Sequence, residues 1–411
     1  MVGTASFKKV AHFLRPWHWG SIAVISLSAA CVLLRRNPKP MSARVEGWRL
    51  SRSELREVLK KYEKLVAKDA RALQHSSTAR LLGAERYQRR TAAMRHAAET
   101  NQRLVEQLLD DLPDDSCDRT ALVSENRSEV CTPPARPVAE FRSLGNSLAT
   151  VSRAYGTLQS VFAHLMRDWS GISEQTVISN QYGQLLEEVK PHLPRGSHVL
   201  VPGAGLGRLA LMLAGEGFQV EANDASALFM TFADYILNRA PLATPFFPLA
   251  HAFWENWGLE QQYTELTVPN VSPRSVANSS GPVEGSQAPV VVVPGDFLRT
   301  YQTGGPGFRQ FDAVVTCFFI DMSKDVEELF GVLDSLLDVG GLWVNLGPLN
   351  WKRDSKLKLT WEEIVAIWQL KGYEFLAQKR VDTDYHIPRG KKMYTESRTV
   401  SLSVAVKRSK Q

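Results

Sequence analysis

Three glycines stand in a G-x-G-x-G loop at 203–207, directly after the apolar run HVLVP (198–202). A helical pattern follows the loop, and the next apolar run, FQVEAND (218–224), ends in an acid. Glycine permits the tight turn and the close ligand approach that such a loop needs, and a carboxylate can accept hydrogen bonds from both hydroxyls of a ribose. The pattern predicts the first βαβ unit of a nucleotide-type fold, with cofactor-binding residues Gly203, Gly205, Gly207 and Asp224.

The spacing of these glycines distinguishes a dinucleotide cofactor from S-adenosylmethionine (SAM). A dinucleotide fingerprint reads G-x-G-x-x-G, whereas this loop is one residue shorter, as in enzymes that use SAM. SAM has no pyrophosphate to place at the helix N-terminus. The loop therefore predicts SAM as the cofactor. A hydride-transfer enzyme that uses NAD, and a turn without any ligand, are the alternatives at this point.

Two further acids follow apolar runs. Asp296 stands before Phe297 and after VVVVPG (290–295), and Asp321 ends the segment TCFFID (316–321). Ligands of open α/β sheets bind outside the carboxyl ends of the strands. Asp296 can accept from an adenine amine while Phe297 stacks on the ring. A single acid of this kind is more often a helix cap or a solvated loop residue, but the order of these acids after successive strands favours a ligand site.

The elements that must position these residues alternate along the chain. Strands are predicted at 198–202, 218–223, 289–293, 311–317 and 341–346, with helices between them, and a terminal hairpin near 374–381 and 399–407. This alternation predicts an α/β fold, a Rossmann-like, mainly parallel sheet with helices on both faces. A Ser/Pro/Gly-rich insertion near 264–289 is expected to be a flexible loop.

The region before the sheet has a different pattern. Residues 51–112 predict two amphipathic helices, residues 113–138 a polar linker, and residues 143–169 a further helix that leads into the sheet. We expect an N-terminal helical region at 41–142 and the cofactor-binding domain at 143–411. The helical region is itself preceded by segment 1–40, in which residues 16–34 carry no charged side chain. That segment is read as a membrane anchor, an organellar presequence, or an extension before Met41 as the working start.

Charge and cysteine content limit the classes of substrate and partner that we expect. Residues 1–150 hold 25 Lys and Arg against 16 Asp and Glu, whereas residues 151–411 hold 24 against 27. The half with the glycine loop is therefore slightly acidic, which argues against a nucleic-acid substrate. The four cysteines form no C-x-x-C pair, so neither a metal site nor a disulfide framework is predicted. Reduced thiols favour an intracellular protein, and a Cys117–Cys131 disulfide is the alternative.

Several segments together resemble the carnosine N-methyltransferase family of class I SAM-dependent methyltransferases. The resemblance covers most of residues 148–350 and implies methyl transfer to an imidazole nitrogen of a histidine-containing dipeptide such as carnosine, giving anserine. It implies a cytoplasmic protein, also compatible with the nucleus or with a membrane-anchored form whose catalytic domain faces the cytosol, and it is compatible with a homodimer. The matching segments are MRDWS (166–170), LVPGAGLGRLA (200–210), AND-S (222–226), ILNR (236–239), GDF (295–297), TCFFID (316–321) and NLGPL (345–349).

The resemblance also implies residue roles. Arg167 would bind the SAM carboxylate beside His164, Asp224 would hold the ribose, and Ala313 would contact SAM through its main chain. Gly203, Asp296 and Phe297 would contact the cofactor as well. The residues implied around the acceptor are Phe318, Asp321, Tyr385, Tyr394 and the position of Lys352.

Two departures from the family pattern bear on the acceptor and the cofactor. The family usually has Glu at the ribose position, where Asp224 is one methylene shorter. Similar proteins have histidine where this chain has Lys352, and a lysine ammonium has no hydrogen-bond acceptor. His251 and His386 are the candidate substitutes for that histidine. A different small amine or peptide acceptor, and a SAM-binding protein with little catalysis, are therefore the alternative functions.

Overall fold

The computed structural model describes residues 48–77, 81, 83–112, 137–142, 156–253, 256–279, 289–384, 393 and 397–409. Segment 1–40, most of the predicted linker at 113–138, and the residues Tyr385, His386 and Tyr394 lie outside these ranges. Within the described ranges, no helix is long and apolar enough to cross a membrane.

The strands of the described residues form one large and one small sheet. The large sheet has the order β1-β6-β3-β2-β7-β8-β10-β9, and β4 pairs with β5 in the small one. The strands are β1 (Ala139–Phe141), β2 (His198–Pro202), β3 (Gln219–Asp224), β4 (Thr244–Phe246), β5 (Leu266–Val268), β6 (Val290–Pro294), β7 (Phe311–Cys317), β8 (Leu337–Gly347), β9 (Tyr373–Asp384) and β10 (Ser397–Lys407).

Helices lie between most of these strands, and two long helices precede them. A π-helix (Glu174–Gly183) and short 3-10 helices at Gly171–Ser173, Lys190–His192 and Ile320–Met322 complete the set in the described ranges. The α-helices are α1 (Arg52–His75), α2 (Ala84–Asp110), α3 (Leu158–Trp169), α4 (Gln184–Val189), α5 (Arg208–Gly215), α6 (Ala227–Asn238), α7 (Leu259–Gln262), α8 (Pro273–Ala277), α9 (Phe297–Tyr301), α10 (Val326–Ser335) and α11 (Trp361–Leu370).

The strand order places a switch point beside β2. From β2 the chain passes to β3 and β6 on one side, then crosses to β7 and β8 on the other, and these neighbours pair in parallel. β10 runs antiparallel between β8 and β9. In open α/β sheets ligands bind at such a switch point, outside the carboxyl ends of the strands. The predicted Rossmann-like sheet is confirmed, and its switch point is between β2 and β7.

The alternation of side chains along the strands divides the core into two layers. On β2, Val199 and Val201 pack into the layer that contains α5 and α6, whereas Leu200 points to the layer of α10 and α11. Ala313 and Val314 on β7 divide in the same way. Because successive strand residues point to opposite faces, helices cover both faces of the sheet, as the sequence predicts.

The two N-terminal helices pack onto the sheet region through buried polar contacts. The Asn101 side chain on α2 donates to the Tyr62 hydroxyl (2.8 Å) and to the Phe247 carbonyl (2.9 Å), and it accepts from the Phe247 N–H (2.7 Å). The Leu50 N–H donates to Thr231 Oγ1 on α6 (3.0 Å). These buried bonds fix α1 and α2 against the sheet region in one orientation.

Two local predictions are corrected by the structure, and the strand at one edge of the large sheet was not predicted. The helix predicted at 143–169 begins only at Leu158, because Gly156 has φ +98° and Thr157 caps the helix; residues 143–155 lie outside the described ranges. The insertion at 264–289 contains β5 and α8, so residues 266–277 are not the flexible loop that composition suggested. β1 was not predicted at all; it extends the sheet edge beside β6.

Candidate functional site

The glycine loop connects β2 to α5 and is built from backbone conformations that favour glycine. Gly203, Gly205 and Gly207 have φ values of +66°, +57° and +80°. A Cβ on Gly203 would lie 2.5 Å from Phe319 Cδ2, whereas a Cβ on Gly205 would meet no atom within 4 Å. Gly203 is therefore required by packing against Phe319. Gly205 instead faces open space in which a ligand can lie against the backbone.

Asp224, at the end of β3, connects this loop to the next strand end. Its carboxylate accepts from the Gly205 N–H (3.1 Å) and from the Ser226 N–H (2.8 Å), each on a different oxygen. Burial raises the pKa of Asp224 to about 6, although these backbone donors act in the opposite direction. Each carboxylate oxygen has a second lone pair, so the ionised side chain can still accept from two ligand hydroxyls.

Asp296 and Phe297 lie at the end of β6, as predicted, but both side chains have structural contacts. The Asp296 carboxylate caps α9 by accepting from the Arg299 N–H (3.1 Å). The Phe297 ring is 6 % exposed and packs between Tyr301 and Phe319, with ring centroids 5.3 and 5.4 Å away. A carboxylate that caps a helix keeps acceptor capacity, whereas the Phe297 ring is part of the core.

Arg167 and its neighbours form a charged cluster at the end of α3. Arg167 Nε donates to Asp168 Oδ1 (2.8 Å), and its Nη2 donates to the Tyr182 hydroxyl (3.1 Å). His164, one turn earlier, lies against Phe229 and within 2.7 Å of the Ser160 carbonyl through Nδ1. Burial, together with the nearby Arg167 charge, lowers the pKa of His164 to about 4. His164 is therefore neutral at physiological pH.

Arg208, which directly follows the glycine loop, was not among the predicted site residues. It is 4 % exposed, its guanidinium lies over the Trp169 ring (5.0 Å to the centroid), and its Nη2 is 3.5 Å from Glu174 Oε1. Its Nε and Nη1 have no hydrogen-bond partner among the described residues. Buried donors are normally paired, so this guanidinium can accommodate an anionic ligand group. A charged residue immediately after the last loop glycine was the available sequence signal.

The end of β7 carries backbone strain at Phe318. This residue has φ +52°, a conformation that is uncommon for a bulky side chain. The turn is held by the Phe318 N–H, which donates to the Leu346 carbonyl (2.7 Å), and it fits because Gly347 has no Cβ, which would lie 3.2 Å from Phe318. Backbone strain of this kind persists where the surrounding structure fixes it, and it is concentrated at functional sites.

Asp321 follows this turn on a 3-10 helix and is 5 % exposed. Its Oδ2 accepts from the Asn350 N–H (2.8 Å) after β8. Burial raises the pKa of Asp321, while the Asn350 N–H and the charges of Arg398 and Lys352 act in the opposite direction. Asp321 and Lys352, both predicted around the acceptor, are thus close enough to interact electrostatically, as is Arg398 from β10.

Of the remaining predicted residues, two lie within the described ranges and three lie outside them. Ala313 is fully buried in the middle of β7, paired with Val199 and Leu342. It is not brought to the strand ends, so the predicted main-chain contact with a ligand is not supported by its position. His251 lies near the Tyr62 ring on α1, with centroids 6.3 Å apart, and does not replace the missing histidine. Tyr385, Tyr394 and His386 lie outside the described residues.

Cys317, not Ala313, is the β7 residue that reaches the site. It ends the strand, and burial raises the pKa of its thiol to about 12, with Arg167 and Asp168 as the charged neighbours. The thiol therefore stays protonated and is not a nucleophile. Its position within TCFFID was the signal for it. Among the described residues, no group of three or more His, Cys, Asp or Glu side chains is placed to hold a metal ion.

Comparisons with known proteins identify the family to which the region containing these residues is similar. The family model described as carnosine N-methyltransferase matches residues 147–408. The chain is 31% identical to the carnosine N-methyltransferase of Schizosaccharomyces pombe over 252 residues, 56% of this chain and 65% of that protein. It is 28% identical to the Rattus norvegicus protein of the same name over 235 residues, 54% of this chain and 56% of that protein.

The matched region thus spans between about half and two thirds of these curated relatives. Among solved structures, the magnesium protoporphyrin IX methyltransferase of Synechocystis with bound SAH is similar at 12% identity, with a TM-score of 0.38 over 62% of this chain and 97% of that one. The family match contains the glycine loop and all the strand ends described above.

Proposed function

Because the chain belongs to the carnosine N-methyltransferase family, we propose that it transfers a methyl group from SAM to an imidazole nitrogen of a histidine-containing dipeptide such as carnosine, giving anserine. The observation that carries this proposal is the position of Asp321. It is a buried acid beside a strained turn, just after β7, and β7 is the strand next to the one that leads into the glycine loop. A cofactor site and an acceptor-orienting acid therefore share one edge of the sheet.

The residues at the switch point fit SAM. Gly205 leaves open space above the loop backbone, and Asp224 keeps acceptor capacity for two ribose hydroxyls. The unpaired nitrogens of Arg208 and the guanidinium of Arg167 suit a carboxylate. We propose that these four residues hold the cofactor, whose sulfonium supplies an electrophilic methyl group when bound.

Methyl transfer of this kind depends on alignment and on the exclusion of water rather than on acid–base chemistry. An imidazole reacts through the nitrogen that carries a lone pair, and the tautomer is set by the hydrogen bond that the other nitrogen makes. The ionised Asp321 carboxylate can accept that N–H. The Asn350 N–H fixes one of its oxygens, so the direction from which the imidazole is held is defined by the backbone.

The charges beside Asp321 bear on the other end of the acceptor. Arg398 and Lys352 both act electrostatically on this carboxylate. A dipeptide carries its own carboxylate, which suits a site with two cationic side chains near one acid. We propose that these two residues favour an acceptor with a free carboxylate over an uncharged imidazole compound.

Lys352 also supports a second candidate function, methyl transfer to a different small amine or peptide. The family resemblance implies histidine at this position, and His251, one candidate substitute, lies near the Tyr62 ring on α1 instead. An acceptor that needs no imidazole-orienting histidine would be compatible with this substitution.

A panel of acceptors with labelled SAM tests these proposals. We expect transfer to carnosine, less to its decarboxylated analogue, and none to β-alanyl-phenylalanine, which lacks the imidazole. Turnover on an amine in place of carnosine would favour the second candidate. SAM binding without transfer to any acceptor would contradict both and leave a SAM-binding protein with little catalysis.

A further inference from the structure

The segment Glu174–Gly183 forms a π-helix of 10 residues between α3 and α4. π-helices are rare and mostly occur as single-turn bulges, frequently at functional sites. Two neighbouring residues of this helix, Gln181 and Tyr182, are 1 % and 4 % exposed. They make hydrogen bonds to different elements of the site, so this helix contacts the site on two sides.

Tyr182 contacts the side on which the cofactor is proposed to bind. Its hydroxyl donates to Asp168 Oδ1 (2.9 Å) and accepts from Arg167 Nη2 (3.1 Å). Burial raises the pKa of Tyr182 well above its usual value, so the hydroxyl keeps its proton. Tyr182 adds a third contact to the Arg167–Asp168 ion pair, in which Arg167 Nη2 also donates to Asp168 Oδ2 (3.3 Å). Without the Tyr182 hydroxyl, Arg167 and Asp168 would each lose one buried hydrogen-bond partner, and the orientation of the guanidinium would be less restricted.

Gln181 contacts the side on which the acceptor is proposed to bind. Its Nε2 donates to Thr383 Oγ1 and to the Asp384 carbonyl (3.2 Å), at the end of β9. Thr383 is paired across the sheet with Arg398 on β10, and Arg398 acts electrostatically on Asp321. Gln181 therefore anchors the strand ends from which the Arg398 charge reaches Asp321.

We propose that this π-helix is a positioning element with two separate functions, in which Tyr182 orients Arg167 for the cofactor and Gln181 orients β9 and β10 for the acceptor. The second function rests on the proposed methyl transfer. Both side chains act through other residues, Tyr182 through Arg167 and Gln181 through the strand ends, so both are positioning residues. Because they are adjacent in sequence, a general loosening of the helix would affect both functions together, whereas specific positioning affects them one at a time.

Steady-state kinetics of two near-isosteric variants distinguish specific positioning from a general loosening of the helix. Tyr182→Phe removes only the hydroxyl, and we expect it to raise the KM for SAM about tenfold, because two buried polar groups lose a partner. Gln181→Met removes only the amide, and we expect it to raise the KM for carnosine by a similar factor, about tenfold. Each variant leaves the other KM unchanged.

Ser179→Ala is the matched control on the same helix. The Ser179 hydroxyl is exposed and donates to the Glu174 carbonyl within the same helix (3.1 Å). We therefore expect both KM values to stay at the wild-type level in this variant. A double-mutant cycle adds a second test of the Gln181 function, since Thr383→Val removes the same hydrogen bond from its other end. The two substitutions together are expected to raise the KM for carnosine no more than Gln181→Met alone, because Gln181→Met already removes the bond that Thr383→Val removes.

The measurement can be made even if the proposed acceptor is wrong. SAH affinity by calorimetry needs no acceptor, and it is expected to fall in Tyr182→Phe but not in Gln181→Met. Amide hydrogen exchange at Thr383 and Asp384 is expected to accelerate in Gln181→Met but not in Tyr182→Phe. A wild-type protein that does not methylate carnosine would contradict the proposed function alone. Equal effects of both variants on both readouts, or no effect of either, would overturn the positioning proposal.

Discussion

The pH dependence of cofactor affinity should report directly on Asp224. Its pKa is raised to about 6 by burial, and both of its oxygens already accept one backbone N–H. The ionised form has the free lone pairs that ribose hydroxyls require, whereas the protonated form loses one acceptor site. With a pKa of about 6, the ionised fraction falls from nearly all at pH 8 to about one tenth at pH 5. We therefore expect the affinity for SAH to fall about tenfold over this range.

Isothermal titration calorimetry of SAH at pH 5, 6, 7 and 8 measures this dependence. Two other shifted groups near the site do not titrate in the window, because the pKa of His164 is about 4 and that of Cys317 is about 12. Asp224→Asn provides the control: it should bind SAH more weakly than wild type at pH 8 and show no inflection near pH 6. A flat wild-type profile, or the same slope in the variant, would refute the role of Asp224.

The same pKa shift has a consequence for stability. Because the folded-state pKa of Asp224 is raised from 3.8 to about 6, the group favours the folded state fully at pH values below the unfolded pKa. This contribution is lost as the pH rises through about 6. A shift of this size corresponds to at most about 3 kcal/mol in the unfolding free energy. Urea unfolding of the ligand-free protein should show wild type losing stability relative to Asp224→Asn between pH 4 and pH 7, and an unchanged difference would argue against the raised pKa.

Three further predictions follow from the packing of the site and of the N-terminal helices. Gly203→Ala should lower the melting temperature more than Gly205→Ala does, because only the Cβ at Gly203 meets a neighbour, at 2.5 Å from Phe319; the Gly205 variant should instead lose SAH affinity, and equal melting curves would contradict this difference. Asp321→Asn keeps one oxygen for the Asn350 N–H but replaces the other oxygen with an NH2 group, which cannot accept the imidazole N–H. We therefore expect it to abolish methyl transfer to carnosine, while SAH affinity in calorimetry stays at the wild-type level. Asn101→Ala breaks three buried hydrogen bonds and should lower the unfolding free energy by about 2–4 kcal/mol in urea titrations, and a loss below the error would show that α2 is not held by them.

Much of the fold could be predicted because its signals are local. The apolar runs that became β2, β3, β6 and β7 were bounded by glycine and acidic residues, and each strand was predicted within one residue at either end. β1 could not be predicted, since three residues at a sheet edge carry no periodicity and depend on pairing with β6. The small sheet of β4 and β5 was missed because a Ser/Pro-rich composition outweighed a three-residue strand.

The site was predictable only where a residue stands at a strand end. Gly205, Asp224 and Asp321 were identified in this way, and the structure brings them to one edge of the sheet. The positioning role that we propose for Tyr182 depends on a tertiary contact with Asp168, and nothing in its local sequence indicated that contact. Ala313 was predicted to contact SAM through its main chain, and this stays a prediction; the structure places Ala313 inside β7 and Cys317 at the end of that strand.

The most direct test of the account is the structure of the product formed from carnosine. Wild-type protein is incubated with carnosine and SAM, and the methylated product is examined by NMR. We expect one new methyl group on an imidazole nitrogen, dependent on SAM and absent with Asp321→Asn. A methyl group on the amine of carnosine, or binding of SAM without any methylated product, would contradict imidazole methylation by this protein.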